Sequence, residues 1–242
     1  MFEPQQEFTV GRVKAMECFR EAWEMIRGQY LMVLVVVIVG MLIGSLVPLI
    51  ILGPMVCGIY LCLFEMMDGK PISIDKLFKG FDFFLPSFLL TLVIMIPIVV
   101  MVIVMYIPLI GVAMAGPQMS QEELISFLIG ILAVEFVFAV IMTVIHTLVI
   151  FSFPLIVDRK AGAWDAIKLS ARAVWANKGG VGALFGVGFL MAIAGYLLFC
   201  VGIYLVIPII ITATAVAYRK VFPPLAERFT SPPPPDLYNN IA

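Results

Sequence analysis

The sequence predicts an all-α polytopic membrane bundle, with six transmembrane helices and two interfacial amphipathic helices on the cytoplasmic side. Three observations carry this. Of 242 residues, 63% are hydrophobic and 13% charged, whereas about a quarter of a soluble domain is charged. All 15 Lys and Arg residues fall in four stretches, 12–27, 70–79, 159–178 and 219–228, separated by long runs with almost no charge. Those runs are continuously apolar. Backbone in lipid must satisfy its own hydrogen bonds, so it forms helices or a closed barrel, and the lack of period-2 alternation selects helices.

Residues 1–28 are expected to be a cytoplasmic amphipathic segment, with Val13, Met16, Phe19, Trp23 and Ile26 opposite Arg12, Lys14, Glu17, Glu21 and Glu24. The run after it has too little charge to end before residue 64, and at about 20 residues per span it holds a hairpin, 29–47 and 50–67, with its uncharged tip near Pro48 to Pro54. One span over 84–110 and one over 124–156 flank the segment VAMAGPQMSQE, which has no basic residue and is expected outside. A second interfacial helix over 161–177 sets Trp164, Ile167, Ala171, Val174 and Trp175 against Asp165, Lys168 and Arg172. A last hairpin covers 180–198 and 200–219, tipped near Phe199 to Gly202. The tail 222–242, with four successive prolines, is expected as cytoplasmic polyproline II or coil. Both termini then lie inside, and every Lys and Arg faces the cytoplasm of a bacterial inner membrane.

The first apolar run begins too late and continues too far for a cleaved leader, so it is expected to remain as an anchor. Cys18, Cys57, Cys62 and Cys200 show no paired spacing and read as small hydrophobes. A shift of 151 positions superposes Ala15 on Ala166, Ala22 on Ala173, Arg27 on Lys178, Gly28 on Gly179 and Gly44 on Gly195. An interfacial helix followed by a hairpin is therefore expected twice, in one orientation. Pro86, Pro97 and Pro108 recur every 11 residues on one face of the third span, which suits a curved packing helix or a hinge.

GKPISIDKLFKGFDFF at 69–84, preceded by GPMVCGIYLCLFEMMD, together with AIKLSARAVWANKGG at 166–180 and AVAYRKVF at 215–222, resembles a broad group of uncharacterised bacterial six-helix membrane proteins. That group is similar to the membrane domain ahead of some glycerophosphodiester phosphodiesterases. The resemblance spans roughly 11–222 and implies a fold. It carries no catalytic residue onto this chain, because catalysis in those enzymes belongs to a soluble domain.

Few residues offer chemistry. His146 is the one histidine, which excludes paired-histidine metal motifs. GGVGALFGVG at 179–188 opens an apolar span and follows no strand, so it is no phosphate loop; Gly182 and Gly186, like Gly40 and Gly44, are expected to admit close helix packing. Methionines such as Met95, Met101, Met105, Met114 and Met119 are too dispersed to favour a soft-metal site over packing.

An ionisable group in a span is a functional candidate by default, which singles out Glu135. It shares a helix face with His146, about 16 Å along the axis, with Thr143 and Thr147 nearby. The expected function is a non-catalytic scaffold or accessory subunit, with no cofactor, no metal and no nucleic acid. Its partners are anionic membrane lipids and a membrane protein or second copy of the chain, met through Lys70, Lys76, Lys79, Lys168 and Arg172. The rival expectation is a small-solute or ion transporter built on Glu135 and His146.

Overall fold

The computed structural model describes residues 8–115, 119–198 and 201–224. These form ten α-helices, and no strand occurs among them: α1 Ala15–Ile26, α2 Tyr30–Leu46, α3 Pro48–Met67, α4 Ile74–Phe78, α5 Phe84–Ala115, α6 Gln121–Leu148, α7 Ser152–Arg159, α8 Ala163–Ala176, α9 Lys178–Leu197 and α10 Val201–Val221. Six helical segments are long and apolar enough to cross a membrane, as expected for a multi-pass membrane protein. The expected second hairpin tip at 199–200, the middle of the uncharged connection at 116–118, and the proline run of the tail lie outside the described residues.

Local chemistry explains where the helices begin and end. The first hairpin turns at Val47, and Pro48 takes the first helical position, where its missing N–H costs nothing. α6 opens on a capping box, in which Ser120 and Glu123 satisfy each other's backbone donors. The span expected over 124–156 is not one regular helix. It breaks at 149–151 and resumes as α7, because Pro154 offers no N–H to the carbonyl of Ile150 and its ring clashes with that turn. α7 then stops at Lys160, which is left-handed at φ 52°. The loop expected over 69–83 also holds structure: Ser73 precedes α4, and a 3-10 turn, Lys79–Phe83, leads into α5.

Packing follows a cyclic order. The chain contains three hairpins, α2–α3, α5–α6 with its extension α7, and α9–α10, each preceded by a short helix. Each short helix packs on another hairpin than the one it leads into: α4 on α3, α8 on α5, α6 and α7, and α1 on α9 and α10. The first thus closes onto the last. This arrangement buries α3 and α10, while most of α5 and α6 beyond their bases is exposed to the surroundings. Along α5, Leu90 and Thr91 are fully enclosed, but Pro97 and Pro108 are only half-buried, Pro108 beside α6.

Glycine sets how closely these elements meet. A Cβ on Gly58 would lie 1.9 Å from the carbonyl oxygen of Leu77, and one on Gly80 would lie 2.0 Å from that of Pro54. α4 and its 3-10 turn therefore rest directly on the backbone of α3. Gly40 and Gly44 do admit close packing, against Ile59 and Leu52. Gly182 and Gly186 do not: nothing lies within 4 Å of either Cβ position. The contact-forming glycines of α9 are Gly180 against Val13, Gly188 near Phe19 and Gly195 against Gly202 and Ile203. The Gly44–Leu52 approach recurs at Gly195–Ile203, shifted by 151 positions, as does the burial of Ala15, Phe19, Ala22 and Ile26 at Ala166, Ser170, Ala173 and Asn177.

Candidate functional site

Three helix C-termini meet at the basic end of the bundle, one from each hairpin: α3, α7 and α10. Arg219, in the last turn of α10, lies 3.2 Å from Asp158 of α7 and 3.8 Å from Asp68, which follows α3. Tyr218 donates to the other Asp158 oxygen at 2.8 Å. The Arg219 guanidinium also covers the Phe64 ring at 4.5 Å, a contact that favours a desolvated cation. Its side chain and that of Asp158 are 17% and 18% exposed, against 56% for Asp68. Beneath the charges, Phe64, Phe151, Tyr218 and Phe222 form linked ring contacts.

The N-terminal segment straps this hub. Thr9 bonds the carbonyls of Lys220 and Val221, while Asn177 accepts from the Gly11 N–H and donates to the carbonyls of Thr9 and Ala173. Lys220 pairs with Glu21 of α1 at 2.7 Å. An open cleft of about 290 Å³ lies between Glu21, Met67, Asp68, Arg219 and Lys220. Four charges of both signs line it. Of these residues sequence reasoning named only Glu21, as part of the polar face of α1, although Asp68, Asp158, Arg219 and Lys220 stood at the ends of apolar runs, in MMDGK, IVDRK and AYRK.

α1 and α8 form at the expected places, and their apolar stripes divide between residues packed on the protein, Val13, Phe19, Ile26 and Val174 among them, and exposed residues that include all three tryptophans. α1 buries Ala15, Cys18, Phe19, Ala22 and Ile26, leaving Met16 and Trp23 exposed. α8 buries Ala166, Ser170, Ala173 and Val174, leaving Trp164 and Trp175 exposed at 64% and 68%. Ala15, Ala22, Ala166 and Ala173 let the two helices approach their neighbours closely. Lys168 stands over Trp164 and Lys178 over Trp175, each at 5.7 Å. Lys70 and Lys79 are exposed, Lys76 pairs with Glu65 at 2.6 Å, and Arg172 is exposed on α8. The expected basic residues therefore lie at one end without converging on a single pocket.

The polar residues of α6 are arranged along their own helix. Thr143 donates to the Ala139 carbonyl, Thr147 to the Thr143 carbonyl, and His146 Nδ1 lies 2.9 Å from the Met142 carbonyl, a contact in which the ring nitrogen donates. Glu135 belongs to another environment. It lines a cavity of about 410 Å³ between α5 and α6 with Val104, Pro108, Ser126 and Gly130. Among the described residues, no group of three or more His, Cys, Asp or Glu side chains is placed to hold a metal ion.

No protein-family model matches this chain, and neither a curated protein nor a solved structure matches it.

Proposed function

We propose that the protein is a non-catalytic scaffold or accessory subunit of the bacterial inner membrane, seated on anionic lipid by its basic, cytoplasmic end. The observation that supports this most is the pairing of exposed tryptophan with lysine on α8. Indole favours the headgroup level, and a neighbouring ammonium attracts lipid phosphate. Trp23 on α1 adds a third exposed indole at the same end of the bundle. The Asp68–Asp158–Arg219 hub favours structure over chemistry, since its cation is balanced by carboxylates and a ring.

Transport through Glu135 and His146 has less support. The hydroxyls and imidazole of α6 bond to carbonyls of their own helix, which provides no stepping stone between the two residues.

Purification into nanodiscs of mixed zwitterionic and anionic lipid, with mass spectrometry of retained lipid, tests the proposal. The wild-type chain is expected to enrich the anionic species, and a Trp164→Ala, Lys168→Ala, Trp175→Ala, Lys178→Ala variant to lose that enrichment while remaining monodisperse. Equal lipid composition around both proteins would overturn the reading.

A further inference from the structure

The cavity between α5 and α6 combines an apolar wall with one buried, unpartnered carboxylate oxygen and a backbone carbonyl deprived of its usual donor. Glu135 Oε1 is buried without a hydrogen-bond partner. Pro108 lines the same cavity, and having no N–H it leaves the carbonyl of Val104, four residues earlier, without its intrahelical donor. Val104 lines the cavity as well. Glu135 stands midway along α6, about 20 Å from either end of a helix of 28 residues. A charge there is costly unless a partner arrives. The surrounding Phe127 and Val134 are exposed at the bundle's apolar surface, so an entering molecule reaches the cavity from the hydrocarbon.

We propose that this cavity binds a lipophilic organic cation bearing N–H donors, such as a primary alkylammonium. The ammonium bonds the Glu135 carboxylate and the Val104 carbonyl, and the alkyl body fills the apolar remainder. The volume of about 410 Å³ lies within the range of ligand pockets, roughly 300–1,000 Å³. A cation answers both acceptors, whereas an anion answers neither. A neutral chain would fill the space and leave the carboxylate unmatched. This site is independent of the lipid-seating end.

The test is equilibrium binding of radiolabelled decylammonium to the full chain in zwitterionic nanodiscs, with empty nanodiscs subtracted. Saturable binding of one molecule per chain is expected, competed by unlabelled decylammonium but not by decanol. Glu135→Gln, similar in shape and uncharged, is expected to weaken binding about tenfold or more. Pro108→Ala, which restores an N–H to the Val104 carbonyl, is expected to weaken it less. Both variants are checked for wild-type elution and melting, and Glu135→Asp serves as a second variant that keeps the charge. Non-saturable uptake, equal competition by decanol, or unchanged affinity in a folded Glu135→Gln protein would each overturn the proposal.

Discussion

Arg219 and Asp158 are joined at 3.2 Å across the ends of α10 and α7, and this pair sits where the C-terminal ends of the three hairpins converge. Because Asp158 also accepts from Tyr218, removing its charge weakens two contacts at once. Asp158→Asn is expected to destabilise the protein by about 1–3 kcal/mol, below the cost of breaking a fully buried pair. Asp68→Asn, at 3.8 Å and more exposed, is expected to cost less than about 1 kcal/mol. Melting of the two variants in one detergent checks the order, and an equal shift would refute it.

Gly58 and Gly80 carry the contact between α3 and the segment from α4 to α5. A methyl group at either position would overlap a backbone carbonyl, which cannot swing aside as a side chain can. Gly58→Ala and Gly80→Ala are expected to cost about 3 kcal/mol or more, with a fall in monodisperse yield. Gly182→Ala and Gly186→Ala, which meet nothing within 4 Å, are expected to express and elute as wild type.

Ser170 compensates for the break between α6 and α7. Its hydroxyl donates to the Leu148 carbonyl at 2.7 Å and accepts from the Phe151 N–H at 3.1 Å. Ser170→Ala abandons two backbone groups at once and is expected to cost about 1–3 kcal/mol. Hydrogen exchange at 148–151 should rise more than exchange in α3; uniform exchange would contradict the assignment.

Asn177 ties residues 9–11 to the α8–α9 junction through two hydrogen bonds, to the Gly11 N–H and the Thr9 carbonyl, and bonds the Ala173 carbonyl of α8 as well. Asn177→Leu is expected to release the N-terminal strap and speed proteolysis at Arg12 or Lys14 several-fold, with little change at Arg159. Unchanged cleavage at Arg12 would show that Thr9 alone holds the strap.

The sidedness expected from the basic stretches is open to direct test. In a chain with all four cysteines replaced, Gln121→Cys is expected to react with an impermeant maleimide added to intact cells, and Gly162→Cys only after permeabilisation. The reverse pattern would invert the assigned topology.

Much of the architecture was legible in the residues. The uncharged runs marked six membrane-length helices, and the shift of 151 positions aligned Gly44 with Gly195, whose neighbours across the hairpin, Leu52 and Ile203, are also 151 apart. Pro154 was present in the sequence, yet the break it makes was masked by apolar residues on both sides. The tryptophans of α1 and α8 are exposed, as a place at the headgroup level requires, but the residues these helices turn to the protein include Ala22 and Ala173, which hydropathy alone does not mark, because packing favours the residue that lets backbones approach. The hub was missed for a different reason. Asp68, Asp158 and Arg219 are far apart in the chain, and nothing local pairs them.

By itself the sequence determined the solvent of each segment, because hydropathy and charge act residue by residue and need no neighbour. Only the tertiary structure decided which hairpin each short helix rests on, which glycines are in contact, and that Glu135 shares a cavity with Pro108 rather than a relay with His146. Those outcomes depend on shape and distance between segments, and lipid-facing and protein-facing apolar residues look alike until a neighbour arrives.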